Sequence, residues 1–110
     1  MKFNTDEPLL DRENEPVIEK TTNEKGEIKS KLITLGVVAI RAVDLQLPGD
    51  KDIKPEEVLA NFMLTVKIAN GGVIDITTEQ AAMLKARVVN FNNLIAGRLM
   101  YALENGPKGE

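Results

Sequence analysis

Apolar residues change their spacing at Thr34, and that change limits the folds open to this chain more than any other feature. Upstream, short apolar pieces alternate with turn chemistry. Pro8-Leu9-Leu10 is followed by Asp11-Arg12-Glu13-Asn14 and Pro16-Val17-Ile18, then by a polar turn, Asn23-Glu24-Lys25-Gly26, and the alternating Glu27-Ile28-Lys29. Asn tolerates positive φ and Asp initiates turns, so this stretch predicts a small hairpin or a pair of extended edges. Pro8 and Pro16 lack a backbone donor, which keeps their segments at a sheet edge or outside the sheet. Downstream of Thr34, apolar residues recur three and four apart, the helical period. The expected architecture is α+β in a single small domain: an N-terminal extended or hairpin arm, three helices and one short strand. The arm spans 1–30, as a weak β-ribbon or a segment that orders on a partner. The helical core spans 31–105 and carries the strand at 73–76, and a flexible tail spans 106–110.

Leu35, Val38, Ala42 and Leu45 predict a first helix over 34–46 with Thr34 as N-cap, although Val37, Val38, Ile40 and Val43 are β-branched. Leu47-Pro48-Gly49-Asp50 ends it. Pro55 suits the first turn of a second helix, where its missing N–H is not needed, and Glu56-Glu57 meets the positive helix end. Leu59, Phe62, Val66 and Ala69 form one stripe with Met63 beside it, and Asn70-Gly71-Gly72 is a helix stop. Val73-Ile74-Asp75-Ile76 reads as a strand, which needs a backbone partner; the pieces 8–10, 16–19 and 28–33 are the candidates. Thr77 with Gln80 matches a capping box. A third helix is expected from Thr78 to Glu104, burying Leu84, Val88, Phe91, Ile95, Leu99 and Ala102. Met83, Leu94, Met100, Tyr101 and Leu103 widen that stripe, and Asn105-Gly106-Pro107 closes it.

With 110 residues, 43% of them hydrophobic, the chain is too apolar for wholesale disorder and long enough for one core without a metal or disulfide staple. It contains no Cys, which excludes disulfides, thiolate nucleophiles and zinc clusters and is compatible with a reducing cytoplasm. The first residues are polar where a signal peptide would be apolar. The most apolar stretch, Leu32 to Leu47, is interrupted by Arg41 and Asp44 and is shorter than the ~20 residues a membrane span needs. No membrane association is expected, and the protein should remain where it is made. Residues 1–24 carry a net −4, residues 25–54 a net +2 and residues 55–110 a net −1. Three lysines, Lys25, Lys29 and Lys31, beside an acidic arm make a poor phosphate-binding face, so direct nucleic-acid binding is disfavoured.

Catalysis is disfavoured as well. The chain has no His, its only Ser is Ser30 and its only Tyr is Tyr101. Adjacent Glu56 and Glu57 project about 100° apart on a helix and are accounted for by its N-terminus. Gly71-Gly72 follows a helix and precedes a strand, the reverse of a phosphate-binding loop. No catalytic residue, cofactor or metal is expected. Three asparagines, Asn90, Asn92 and Asn93, are unusual inside a helix: they form a solvated face or a hydrogen-bonding surface for a partner. Gly97, with Ala96, would let another helix approach closely, within the monomer or across a dimer. The residues expected to meet a partner are Glu13, Glu15, Glu19 and Glu24 on the acidic arm, and Asn90, Asn93, Gly97 and Tyr101 on the last helix.

Taken in order, Pro8-Leu9-Leu10-Asp11, Thr34-Leu35-Gly36, Val66-Lys67-Ile68, the run from Val73 to Glu79 and the ending from Gly97 to Glu104 resemble a group of small, mostly uncharacterised proteins encoded by tailed bacteriophages and prophages. In that group the first turn looks like Asp-x-x-Gly; here Asn14 stands at the glycine position. The resemblance implies origin and size, and supplies no catalytic or ligand residues. The resulting expectation is a non-enzymatic protein of the bacterial host cytoplasm or the virion. It would act through contacts with a phage structural or host protein, in virion or tail assembly, with a homo-oligomer as a further option. Two alternatives accompany it: an inhibitor that presents an acidic surface to a host protein such as a defence nuclease, and a dimeric nucleic-acid-binding regulator.

Overall fold

The computed structural model describes residues 1–45 and 53–106. The element order is β1 (Lys2–Asn4), β2 (Ile18–Thr22), β3 (Ile28–Leu32), α1 (Leu35–Asp44), α2 (Pro55–Ala69), β4 (Val73–Asp75), α3 (Thr78–Val88) and α4 (Asn93–Asn105). The fold is α+β, with four strands in two small sheets and four helices among the described residues, where three helices and one strand were expected. The predicted helix stop at 47–50 and the tail from 107 on lie outside the described residues.

The first turns fold as their chemistry dictates, and they are built alike. In both, the first side chain accepts two backbone N–H groups: Asp11 Oδ1 from Glu13 and Glu15, Asn23 Oδ1 from Lys25 and Glu27. The residue three later takes positive φ, 64° at Asn14 and 80° at Gly26. The second turn joins β2 and β3 into an antiparallel hairpin with Ile18 opposite Leu32 and Thr22 opposite Ile28. At its root three segments close on one another: Leu9 N–H donates to Ile33 C=O, Ile33 N–H to Val17 C=O, and Val17 N–H to Leu9 C=O. That triangle satisfies the backbone while Leu9 and Ile33 enter the core.

Strand β4 pairs antiparallel with β1, Phe3 opposite Ile74, and not with any of the pieces 8–10, 16–19 or 28–33. The reason is burial: Phe3 is an apolar anchor in a stretch whose polar neighbours hide the strand signal, and it is 1% exposed. The chain then turns through Thr5, the one buried polar side chain among the described residues. Its Oγ1 and N–H both donate to Gly72 C=O, at 2.8 and 3.0 Å, and its C=O accepts from Gly36 N–H at 3.0 Å. Gly36 has to be glycine for this approach, because a Cβ there would stand 2.7 Å from the Thr5 carbonyl oxygen.

Thr34 caps α1 as expected, accepting from Val37 N–H at 3.2 Å. Helix α1 is the central element, in contact with α2, α3 and α4, and its Ala39 and Ala42 are fully buried, small enough to let three helices close on it. Its final carbonyl region is held from α3, where Arg87 donates to Leu45 C=O at 2.6 Å. Pro55 begins α2 and Asn70-Gly71-Gly72 ends it, both glycines at positive φ.

The expected third helix is two helices. Asn92 Oδ1 accepts from Ile95 N–H at 2.9 Å and caps α4, while Asn90 Nδ2 donates to Arg87 C=O at the end of α3. The asparagine cluster is therefore a helix break whose side chains bond the exposed backbone groups on either side of it. The buried stripe survives the break, since Leu84, Val88 and Leu99 are fully buried and Phe91 and Ile95 partly so.

Candidate functional site

Helix α2 presents two apolar faces. Leu64 and Ile68 turn inward against α1 and are 3% and 2% exposed. The stripe on the opposite side faces solvent: Val58 56%, Leu59 62%, Phe62 60%, Met63 58% and Val66 40% exposed, with Ala69 exposed beyond them. Together the five larger side chains leave about 450 Å² of apolar surface in one patch, the size that on single-domain proteins is often an interaction site. Glu56 and Glu57 lie at one end and Lys67 near the other. Lys67 Nζ donates to the Asp75 carbonyl oxygen, which ties the end of α2 to β4.

Other surface features lie elsewhere among the described residues. Between the hairpin root and the α3–α4 turn lies an apolar groove of about 390 Å³, floored by Leu9, Ile33 and Val38 and walled by Phe91 and Ile95. An ion pair, Arg41 to Glu19 at 3.0 Å, stands at its edge. The hydrogen bond and positive charge of Arg41 hold the Glu19 carboxyl below its ordinary value. At the first turn, Arg98 of α4 donates through Nε to Leu10 C=O at 3.0 Å and through Nη2 to Asp11 C=O and, at 3.3 Å, to Asn14 Oδ1. A guanidinium fork thus fastens the arm to the last helix. Arg12, Asn93, Leu94, Gly97 and Arg98 line a shallow hollow beside it.

The eight residues singled out from the sequence fall in separate places. Asn93 and Gly97 share one side of α4 near the first turn, which carries exposed Glu13 and Glu15. Tyr101 is 68% exposed one turn further along. Glu19 is engaged by Arg41, Glu24 sits at the tip of the hairpin, and Asn90 bonds the end of α3. On the hairpin the acids alternate with lysines, Glu19 lying directly opposite Lys31 and Lys20 opposite Ser30, so the four glutamates do not merge into one acidic surface. A Cβ at Gly97 would meet nothing within 4 Å, so no other helix among the described residues packs against it.

Sequence reasoning found the α2 stripe but gave it no role. The signal was present: Leu64 and Ile68 supply a second apolar face, more than a helix packed on one side can bury. Arg98 had no sequence signal, because its acceptors, two backbone carbonyls and the Asn14 side chain, lie 84 to 88 residues away. Among the described residues no three His, Cys, Asp or Glu side chains gather as metal ligands, and no helix is long and apolar enough to cross a membrane. No family model, no curated protein and no solved structure matches the chain.

Proposed function

We propose that this chain is a non-enzymatic protein that works through protein–protein contact, in the virion or tail assembly of a tailed phage. One observation supports contact as the mode of action: a helix end to end with exposed Val58, Leu59, Phe62, Met63 and Val66, opposite a face already buried in the core. Leaving such a patch in water forgoes burial worth roughly 25 cal/mol per Å², a disadvantage that partner binding removes. The assembly setting follows from the resemblance to small phage-encoded proteins. The exposed turn with Glu13 and Glu15 and the α4 side with Asn93, Gly97 and Tyr101 supply a second, polar contact region.

A crosslinked affinity pull-down from infected or lysogenic cells, read by mass spectrometry, tests this. Tail, connector or capsid proteins should be recovered with the wild-type chain and lost with Phe62→Ser. Recovery of a single host nuclease or polymerase would replace assembly by inhibition. Recovery of the same proteins by wild type and Phe62→Ser would remove the α2 stripe as the contact.

A further inference from the structure

We propose that the α2 stripe is occupied by a second copy of the same stripe, the two α2 helices packing antiparallel about a two-fold axis. This rests on the reading of the chain as a contact protein and deepens it: the stripe pairs with itself, and the assembly proteins meet the resulting dimer, so that Phe62→Ser, by dissolving the dimer, removes them from the pull-down as well.

The argument rests on where the charges sit. At about 100° per residue, Glu56 and Lys67 lie within about 20° of each other around the helix, on the same edge of the stripe. Their midpoint along α2 and the midpoint of the run Val58 to Val66 coincide to within one residue, about 1.5 Å of helix rise. A two-fold axis perpendicular to α2 at that shared midpoint carries each edge onto the same edge of the partner helix. It therefore sets Glu56 of each copy beside Lys67 of the other, twice, while Phe62 meets its counterpart near the axis. A parallel two-fold pairing would carry this edge to opposite sides of the seam in the two copies and bring neither Glu56 beside a Lys67, so the charges select the antiparallel arrangement. Among the described residues Glu56 has no ion-pair partner within its own chain, and Lys67 uses one of its three donors on the Asp75 carbonyl oxygen.

Area agrees with charge. Two stripes of about 450 Å² each bring the buried apolar surface close to the ~1,000 Å² at which specific interfaces begin, and the flanking Glu56, Lys67 and Ala69 add to it. A two-fold contact of this kind is closed, because both copies use up the same patch, and so it yields dimers without further growth.

Sedimentation equilibrium of the purified full chain over the micromolar range tests the proposal. Wild type should follow a monomer–dimer equilibrium. Phe62→Ser, at an exposed position, should be monomeric with an unchanged circular dichroism spectrum. Glu56→Lys and Lys67→Glu should each weaken the dimer by about two- to fivefold, and the double variant should return to within about twofold of wild type. A chain that stays monomeric at every concentration overturns the dimer. So does a dimer indifferent to Phe62→Ser, or a double variant no better than the singles. A monomeric wild type whose pull-down partners vanish with Phe62→Ser would overturn self-pairing while leaving the contact reading standing; loss of that reading would instead show as a pull-down unaffected by the variant.

Discussion

Two glycines on helices illustrate how position decides what a missing side chain means. At Gly36 an added Cβ would lie 2.7 Å from the Thr5 carbonyl oxygen and 3.0 Å from Thr5 Cβ, backbone and short side chain that have nowhere to go. Gly36→Ala should destabilise the protein by about 1–3 kcal/mol, read from urea denaturation. Gly97 faces open space in the interior of α4, so Gly97→Ala should stabilise by about 0.5–1 kcal/mol in the same assay. An unchanged midpoint in the first variant would mean that the β1–α1 crossing tolerates a shift its hydrogen bonds do not suggest. Arg98 belongs to the same scale. Arg98→Lys keeps the charge but cannot span the Leu10, Asp11 and Asn14 acceptors, and a loss of about 1–2 kcal/mol is expected, with faster amide exchange confined to residues 10–16. None of these three roles was legible in the sequence beyond the propensity of Gly. The roles of Gly36 and Arg98 depend on segments brought from distant parts of the chain, and that of Gly97 on no segment coming near.

At the scale of elements, local chemistry was readable and continuity was not. The caps at Thr34 and Thr77, Pro55 at the start of α2 and the Asn70-Gly71-Gly72 stop are as their sequences predict, because a cap and the groups it satisfies lie within a few residues of one another. The break at Asn90 to Asn92 has the same kind of signal, yet the apolar stripe runs through it in phase and masks it. The partner of β4 was illegible for the opposite reason, since the three-residue β1 is too short to show a period. Helix α2 is the plainest test of facing. Leu64→Ala should cost about 2–5 kcal/mol through the cavity it leaves, whereas Leu59→Ala, on the exposed stripe, should change monomer stability by less than about 0.5 kcal/mol. Thermal denaturation at low protein concentration separates the two, and equal losses would reverse the assignment of the faces. The candidate contact surface was thus legible as a stripe, while its exposure required knowing that α1 takes the other face.

At the scale of the molecule, the ion pairs among the described residues are few and exposed to solvent. Glu19 is held below its ordinary carboxyl value by the hydrogen bond and charge of Arg41, and Asp75 likewise by Lys2, 3.1 Å away. A carboxyl lowered in the folded state contributes stability that is fully present above its unfolded value and is lost as pH falls through the folded one. Urea midpoints should therefore hold steady down to about pH 5 and decline below the ordinary values of 4.5 and 3.8. Glu19→Gln should flatten the upper part of that decline; an identical acid limb would mean that the Arg41 contact does not couple to folding. Since both pairs are exposed, added salt should shrink the effect. The Cα radius of gyration, 14.7 Å, exceeds the ~13 Å of a compact chain of this length, in keeping with a hairpin that leaves Ile18, Ile28 and Leu32 in solvent.

The pairing of β1 with β4 also has a consequence in time. Lys2 and Asp75 are partners 73 residues apart, and Phe3 is buried only once that ladder closes. During synthesis at about 5–20 residues per second, β1 waits on the order of 4–15 s for its partner to be made. The hairpin and α1 can form in that interval, but the Thr5–Gly72 and Thr5–Gly36 junctions cannot both be in place until α2 has been completed. Closure of the core therefore waits on α2 and β4, and Phe3 stays exposed until both are made.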